Sequence, residues 1–275
     1  MENLGYKLMD MHTHCFPDAI AERAITSLKG QTDIPNYHDG TLDGLCAYEH
    51  SIHSSGMLVL PIATKPQQAE GINKWAASIQ GTRDGLSVHA FGSVHPESRS
   101  LVYELDHLCS LGIRGVKLHP EYQDFFVDDE KYFAFYDELF KRGLIVCFHA
   151  GEDLGFSGPV HAAPERLAVV CDMFPEGIII AAHMGGFRCW DGVRNVLAGK
   201  KNLYFDTSFS TGWLEPEKMV SLCRLHGIDR IFFGTDAPWT DAARSLEGIM
   251  SLPFERWELE GILYNNAAKL LSGQY

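Results

Sequence analysis

The chain has 275 residues, 45% of them hydrophobic, which is enough to bury a large core in one domain or in two small ones. Its 36 acidic and 23 basic residues give a formal charge of −13, which argues against nucleic acid or an anionic membrane surface as the main partner. A small anionic substrate stays open, because a bound metal ion can make a pocket locally positive.

The amino terminus lacks the basic, then apolar, then small-residue order of a signal peptide, and no apolar run approaches the ~20 residues that span a bilayer. The seven cysteines are scattered without a C-x-x-C pair, which suits a reducing compartment better than a disulfide framework. We therefore expect a cytoplasmic protein with no membrane partner. The sequence leaves open whether it forms a homo-oligomer.

The first predicted element is a short strand within residues 8–16, where apolar and polar residues alternate up to His14 before Pro17 ends the pattern. Seven further strands are predicted at residues 56–62, 88–95, 113–119, 144–149, 177–183, 203–207 and 230–236. Helical spacing predicts helices over residues 17–29, 41–55, 67–80, 98–111, 128–141, 163–173, 188–198, 215–226, 241–250, 255–261 and 264–272.

This alternation of strand and helix predicts an α/β fold with parallel strands and right-handed crossovers. The later strands are continuous apolar runs, as expected when both faces of a sheet are buried. Eight such units close most naturally into a (β/α)8 TIM barrel, predicted here as a single domain over residues 1–275. The alternative is an open doubly wound sheet, which would usually show a Gly-rich phosphate turn after its first strand, where His12-Thr13-His14 stands instead.

Polar side chains collect where the predicted strands end, on the face where barrel enzymes carry their active sites. These residues are His12, His14, His95, Lys117, His119, His149, His183 and Asp236. His12 and His14 are two residues apart on a strand, so they share a face and two imidazoles can bind one metal ion. Each of these residues also has an ordinary packing role as an alternative.

Six pieces of the sequence resemble the amidohydrolase superfamily, in particular the amidohydrolase-related branch that includes aminocarboxymuconate-semialdehyde decarboxylase. They are Asp10-Met11-His12-Thr13-His14, Gly115-Val116-Lys117-Leu118-His119-Pro120, His149-Ala150-Gly151, Ala182-His183-Met184-Gly185-Gly186, Gly234-Thr235-Asp236-Ala237-Pro238 and Asn265-Asn266-Ala267. The resemblance extends from His12 to the last helix.

The resemblance implies that His12, His14, His149 and Asp236 are metal ligands. It also implies that Asp236 takes the proton of a metal-bound water and that His183 faces that water or the substrate, as general acid/base or oxyanion stabiliser. Imidazoles with one carboxylate suit Zn²⁺, which lowers the pKa of bound water to ~7. We expect one Zn²⁺ per chain, with Mn²⁺ or a two-metal site as alternatives.

Lys117 carries the main ambiguity, since a lysine on the fourth strand of binuclear superfamily members is carboxylated and bridges two metals. Its other interpretations are a buried ion pair or an ammonium that meets an anionic substrate. Arg188 is placed to hold a substrate carboxylate, or is a solvated arginine at a helix start. His119, His95 and Trp239 are candidates to line the substrate pocket, with packing as the alternative for each.

Together these features predict a metal-dependent hydrolase that uses a metal-activated water on an amide, lactone or ester in a small, carboxylate-bearing substrate. The first alternative is a lyase, either a nonoxidative decarboxylase or a hydratase of an unsaturated or aromatic carboxylic acid. A barrel that only binds a ligand is the remaining alternative.

Overall fold

A computed structural model describes residues 5–30 and 32–274 of the chain. The strands in this part are β1 Asp10–Thr13, β2 Gly56–Val59, β3 Gly81–Arg83, β4 Leu86–Ala90, β5 Gly115–Leu118, β6 Ile145–Phe148, β7 Ile179–Ala181, β8 Leu203–Asp206 and β9 Ile231–Phe232. The α-helices are α1 Asp18–Lys29, α2 Leu42–Ser51, α3 Ala69–Ile79, α4 Leu101–Ser110, α5 Phe133–Lys141, α6 Pro164–Met173, α7 Trp190–Gly192, α8 Pro216–His226, α9 Ala242–Met250, α10 Arg256–Glu260 and α11 Asn266–Ser272. Short 3-10 turns at Pro66–Gln68, Glu130–Tyr132 and Ile228–Arg230, and π turns at Val193–Leu197 and Gly261–Asn265, complete the helical elements.

The chain forms two compact units. The first unit contains residues up to 59, 81–89 and from 205 onward. Within it, β1 pairs in parallel with β2, and the end of β8 pairs in parallel with β9. The chain that continues β9 runs along β1, where the Met11 amide donates to the Phe233 carbonyl at 2.9 Å and the Asp236 amide donates to the His12 carbonyl at 2.8 Å. The carboxyl ends of β1 and β9 therefore lie side by side.

The second unit contains residues 60–80 and 90–204. Its strands β5, β6 and β7 pair in parallel and in that order, with Lys117 opposite Cys147. Every residue of these three strands is buried, which explains their continuous apolar sequences. His119, His149 and His183 follow these three strands directly or after one more residue, so the parallel order brings them to one edge of the sheet.

All eight predicted strands are present, although most are shorter than predicted. The ninth, β3, pairs antiparallel with β4 and was missed, although Asp84-Gly85 is a typical hairpin turn. Both turn residues have positive φ, 49° and 87°, as such a turn requires. The predicted helix at 188–198 is wrong in detail, because only α7 and a π turn form there.

Two of the α-helices begin at a residue whose side chain caps the first turn. Thr41 caps α2, with its hydroxyl accepting from the Gly44 amide at 2.9 Å, although the helix ends at Ser51 rather than residue 55. Asp241 caps α9 in the same way by accepting from the Arg244 amide.

No helix in residues 5–30 and 32–274 is both long and apolar enough to cross a bilayer. The seven cysteines are all free thiols, in agreement with the prediction that they do not form a disulfide framework. The cytoplasmic location stays a prediction.

Candidate metal centre and neighbouring histidines

Three of the predicted metal ligands meet in the first unit. His14 Nε2 lies 3.1 Å from Asp236 Oδ1, and His12 Nε2 lies 3.4 Å from the same oxygen. The two imidazole rings are 5.1 Å apart between centroids and are inclined at 71°. The alternation of β1 places both rings on one face, and the pairing of β1 with the chain after β9 brings the carboxylate to them.

The donor set fits a divalent ion of the zinc type. Two donors bound at ~2.1 Å with a tetrahedral angle lie about 3.4 Å apart. The measured separations from Asp236 Oδ1, 3.1 and 3.4 Å, lie in this range. His12, His14 and Asp236 are the three residues of the first unit that would hold the ion, and two imidazoles with one carboxylate suit zinc or another first-row metal.

The backbone at Asp236 is strained, because its φ is 71°, a region that residues other than glycine rarely occupy. Its amide is fixed to the His12 carbonyl, and its own carbonyl accepts from the Trp239 amide at 2.8 Å. Such strain persists where surrounding contacts enforce it, and it is concentrated at functional sites. The backbone of Trp239 is thus hydrogen-bonded to Asp236, and the predicted substrate contact of Trp239 stays a prediction.

Two residues that sequence reasoning missed, Asp206 and Ser208, contact the Nδ1 side of the His12 ring. Its Nδ1 lies 2.9 Å from Asp206 Oδ2 and 3.0 Å from Ser208 Oγ. Asp206 also accepts from the Ser208 amide at 3.1 Å and from its hydroxyl. A carboxylate acceptor at Nδ1 keeps the proton there and leaves Nε2 for a metal. The only sequence signal for Asp206 was its position at the end of a predicted strand.

Gly234 provides the room that His12 needs. A Cβ at this position would lie 2.9 Å from the Cβ of His12 and 3.3 Å from that of Ser208. A side chain at 234 would therefore push the β1 histidine away from its supporting residues.

Asp10 fixes the backbone next to the candidate metal ligands and is not itself one of those ligands. Its Oδ1 accepts from the amides of His12 and Thr235, each at 3.0 Å, and its Oδ2 accepts from the Thr235 hydroxyl at 2.6 Å. Burial raises the pKa of Asp10 to about 7. Burial also raises the pKa of the neighbouring Glu49 well above its ordinary value. Two buried carboxyl groups in contact disfavour double ionisation.

In the second unit, His149 and His183 face each other. Nε2 of His183 lies 3.0 Å from Nδ1 of His149, and both rings are buried. His183 and Met184 have φ of 59° and 54°, so the chain leaves β7 through two consecutive left-handed residues. The indole of Trp190 donates to the His183 carbonyl at 3.1 Å and holds this turn.

The other nitrogen of His149 faces a carbonyl and a carboxylate. Nε2 lies 3.3 Å from the Glu152 carbonyl oxygen and 3.9 Å from Asp153 Oδ2. Burial lowers the pKa of His149 to about 4, so the ring is neutral at pH 7 and can act as a ligand. Whether His149 joins His12, His14 and Asp236 in one ligand set stays a prediction, as does the catalytic role of His183.

His119 lies against His149 with nearly parallel rings, 4.1 Å between centroids and 13° between planes. Its Nε2 is 3.3 Å from Asp153 Oδ2. The hydrogen bond from His119 is the largest of the interactions that lower the pKa of Asp153, and together they outweigh burial, so this carboxyl group is ionised at neutral pH. His119 is thus part of a polar cluster behind His149.

The remaining predicted pocket residues occupy separate environments in the second unit. Lys117 is almost completely buried in β5, with its Nζ 3.9 Å from Cys147 Sγ. His95 is buried, and its Nδ1 accepts from the Glu97 amide at 3.2 Å, while burial lowers its pKa. Arg188, at φ 58°, keeps a partly exposed guanidinium 3.6 Å from Glu152 Oε2. None of these contacts decides between binding a substrate and packing.

Solved structures with the same fold cover nearly the whole chain. An uncharacterised TIM-barrel protein from Bordetella bronchiseptica is 18% identical, with a TM-score of 0.78 and coverage of 98% of this chain and 99% of the other. A 5-carboxyvanillate decarboxylase from Novosphingobium aromaticivorans with bound manganese is 12% identical, with a TM-score of 0.71 and coverage of 98% and 97%. A probable 2-pyrone-4,6-dicarboxylic acid hydrolase from Acinetobacter baumannii is 14% identical, with a TM-score of 0.67 and coverage of 97% and 99%.

At these identities the likeness shows the fold alone, and it confirms the predicted TIM-barrel class. No curated protein sequence matches the chain closely enough to assign an activity. The family model described as amidohydrolase (Amidohydro_2) matches residues 9–273, and the chain therefore belongs to the amidohydrolase family.

Proposed function

We propose that the protein is a metal-dependent hydrolase of a small, carboxylate-bearing substrate. One observation carries this proposal. Nε2 of His14 and Nε2 of His12 lie 3.1 and 3.4 Å from the same carboxylate oxygen, Oδ1 of Asp236. Zinc is the ion we propose, and manganese is the alternative that the manganese-bound decarboxylase supports. The pyrone hydrolase among the similar structures supports the hydrolytic reaction.

When bound, such an ion would supply Lewis acidity and bring the pKa of a water close to 7. The protein's own residues would then move protons and hold the substrate. Asp236 offers a carboxylate oxygen that takes a proton and returns it to the leaving group. Nε2 of His183, which lies 3.0 Å from Nδ1 of His149 in this structure, would instead donate a hydrogen bond to a developing oxyanion. Arg188 would bind the substrate carboxylate through its guanidinium.

The second candidate is nonoxidative decarboxylation, because a 5-carboxyvanillate decarboxylase shares the fold over nearly its whole length. In that reaction the same residues would act differently. Arg188 or the metal group would bind the substrate, and His183 or Asp236 would deliver a proton to the carbon that loses CO₂.

The first experiment is elemental analysis of freshly purified protein, with His12→Ala and the matched control His50→Ala, an exposed histidine of α2. We expect about one zinc or manganese per chain, lost in His12→Ala and kept in His50→Ala. Absence of metal from the wild-type protein, even after addition of zinc or manganese, would contradict the proposal.

The two reactions are separated by their products. Base consumption in a pH-stat with esters or lactones that carry a carboxylate supports hydrolysis, whereas release of CO₂ from an aromatic carboxylic acid supports the lyase. Asp236→Ala should abolish turnover in either case. Retained turnover in that variant would show that Asp236 is not the proton carrier.

A further inference from the structure

We propose that Asp153 is a positioning residue that, with His119, keeps the ring proton of His149 on Nε2 and so presents Nδ1 as the ligand nitrogen. This inference rests on the proposed function and on the prediction that His149 is one of the metal ligands. It gives a role to Asp153, a residue of the second unit that neither the family resemblance nor the sequence pattern assigned. Its physical basis is the chain of contacts behind the His149 ring.

The Glu152 carbonyl favours one tautomer of His149. Its oxygen lies 3.3 Å from Nε2, and a carbonyl oxygen only accepts hydrogen bonds, so Nε2 carries the proton in the neutral ring. Nδ1 then carries the lone pair of the ring, which accepts a hydrogen bond from Nε2 of His183 at 3.0 Å, and an ion bound at Nδ1 would replace that hydrogen bond. His149 thus presents Nδ1, rather than Nε2, on the side where His183 lies.

Asp153 adds a negative charge to the protonated side of the same ring. Its Oδ2 lies 3.9 Å from His149 Nε2, a distance at which the attraction is electrostatic rather than a hydrogen bond. Its Oδ1 accepts from the Gly155 amide at 2.7 Å, which fixes the carboxylate. A carboxylate behind a ligating histidine holds the ring orientation and raises the basicity of the other nitrogen.

His119 anchors the carboxylate from the opposite side. The Tyr122 amide donates to His119 Nδ1 at 3.4 Å, so Nε2 is the protonated nitrogen and lies 3.3 Å from Asp153 Oδ2. Glu121 Oε2 is 3.6 Å from Nδ1, beyond hydrogen-bond length. Asp153 therefore accepts from His119 while facing His149.

The same three side chains could instead be taken for a second metal site. Two observations argue against that interpretation. Nε2 of His149 carries a proton toward a carbonyl, so it has no lone pair for an ion. The rings of His119 and His149 are nearly parallel, 4.1 Å apart, and lone pairs in two stacked planes do not converge on one ion at ~2.1 Å.

The test compares wild-type protein with Asp153→Asn, which keeps the shape and removes the charge, and with His119→Gln. The matched control is Asp172→Asn, an exposed carboxylate of the same unit. Zinc affinity is measured by competition with a chromogenic chelator, and the His149 tautomer by ¹H–¹⁵N NMR of the metal-free, histidine-labelled protein. Unfolding of each metal-free variant is followed to separate positioning from stability.

We expect Asp153→Asn to weaken zinc binding by ~10–100-fold and to populate the Nδ1-protonated ring of His149, with His119→Gln showing a smaller shift in the same direction. The control should match the wild type. Unchanged affinity and tautomer in Asp153→Asn would overturn the inference, and so would a fall from two metals per chain to one, which would reveal a separate site. If wild-type protein binds no metal, the proposed function fails, while the tautomer measurement still tests the role of Asp153.

Discussion

Asp206 Oδ2 lies 2.9 Å from Nδ1 of His12, whereas Nε2 of the same ring faces Asp236 Oδ1 at 3.4 Å. The imidazole thus lies between two carboxylates, that of Asp206 at Nδ1 and that of Asp236 at Nε2. Asp206 is itself fixed by the amide and hydroxyl of Ser208. Because both ring nitrogens of His12 have a defined partner, the orientation and the tautomer of the ring are fixed. An H-x-H pattern in the sequence does not by itself guarantee this.

Asp206→Asn should weaken zinc binding by ~10–100-fold, because an amide in this position does not stabilise the proton on His12 Nδ1 as a carboxylate does. Chelator competition on the full chain measures the effect. Asp43→Asn, an exposed carboxylate of the same unit, is the control and should bind zinc like the wild type. Equal affinities for the two variants would show that Asp206 has no role in positioning His12.

Gly234→Ala should destabilise the protein by ~1–3 kcal/mol and reduce its metal content, because the new Cβ would lie 2.9 Å from the His12 Cβ. Urea unfolding and elemental analysis measure the two effects. Gly71→Ala is the control, since no atom lies within 4 Å of a Cβ there, and in the exposed helix α3 it should leave stability unchanged or raise it. A Gly234→Ala protein with normal stability and metal content would contradict the assigned role of this glycine.

Periodicity was sufficient to predict the strand and helix order, because buried parallel strands give continuous apolar runs that recur with a helix between them. The pairing of β5 with β6 and of β6 with β7 follows that order. The predicted strand ends in turn indicated which polar residues would lie close together. His12, His14 and Asp236 stand where β1 and β9 end, and parallel neighbours bring such ends together.

What the sequence did not reveal depends on local geometry. The hairpin of β3 and β4 was missed because Gly81–Arg83 is short and exposed and has no apolar run. Asp206 was missed because its role arises from a contact with His12, which lies far away in the chain. Asp153 was missed because it lies in a loop, and its role arises from its contact with His149. A carboxylate that supports a ligand histidine has no motif of its own.

Glu49→Gln should raise the melting temperature at pH 8 and have little effect at pH 5. Burial raises the pKa of Asp10 from an ordinary 3.8 to about 7, and that of Glu49 well above its usual value. Carboxyl groups that hold protons more tightly in the folded chain stabilise it at low pH, and this stabilisation is lost as the pH rises from about 4 toward 7. A neutral glutamine removes one of the two groups that must ionise in contact.

Thermal unfolding at both pH values tests this prediction, with Glu70→Gln, an exposed carboxylate paired with Lys74, as the control. The control should change little at either pH, since an exposed ion pair contributes little to stability. An increase in the melting temperature of Glu49→Gln that is equal at pH 5 and pH 8, or a decrease at pH 8, would contradict the prediction. It would show that Asp10 and Glu49 do not oppose each other's ionisation in the folded chain.

Arg188→Met should raise KM for a carboxylate-bearing substrate by ~10–100-fold and leave kcat within a few fold, because a charge-assisted hydrogen bond to the substrate would be lost in ground and transition states alike. Arg99→Met, an exposed arginine of the same unit, is the control. Steady-state kinetics with a substrate and its methyl ester separate the cases. If the variant loses activity equally on acid and ester, Arg188 does not bind the carboxylate.

Lys117 should remain an ordinary, uncarboxylated lysine, and the protein should bind one metal ion per chain. Its Nζ lies 3.9 Å from Cys147 Sγ in the fully buried pairing of β5 with β6, and a carbamate would add negative charge and polar oxygens at a position shielded from water. We expect no carbamate signal in ¹³C NMR after equilibration with ¹³C-bicarbonate, and no gain in bound zinc when bicarbonate is added.

Lys117→Gln should keep the metal while weakening the binding of anionic ligands, because it removes a buried positive charge near His149. Two zinc ions per chain together with a carbamate signal, both lost in Lys117→Gln, would instead establish a bridged two-metal site.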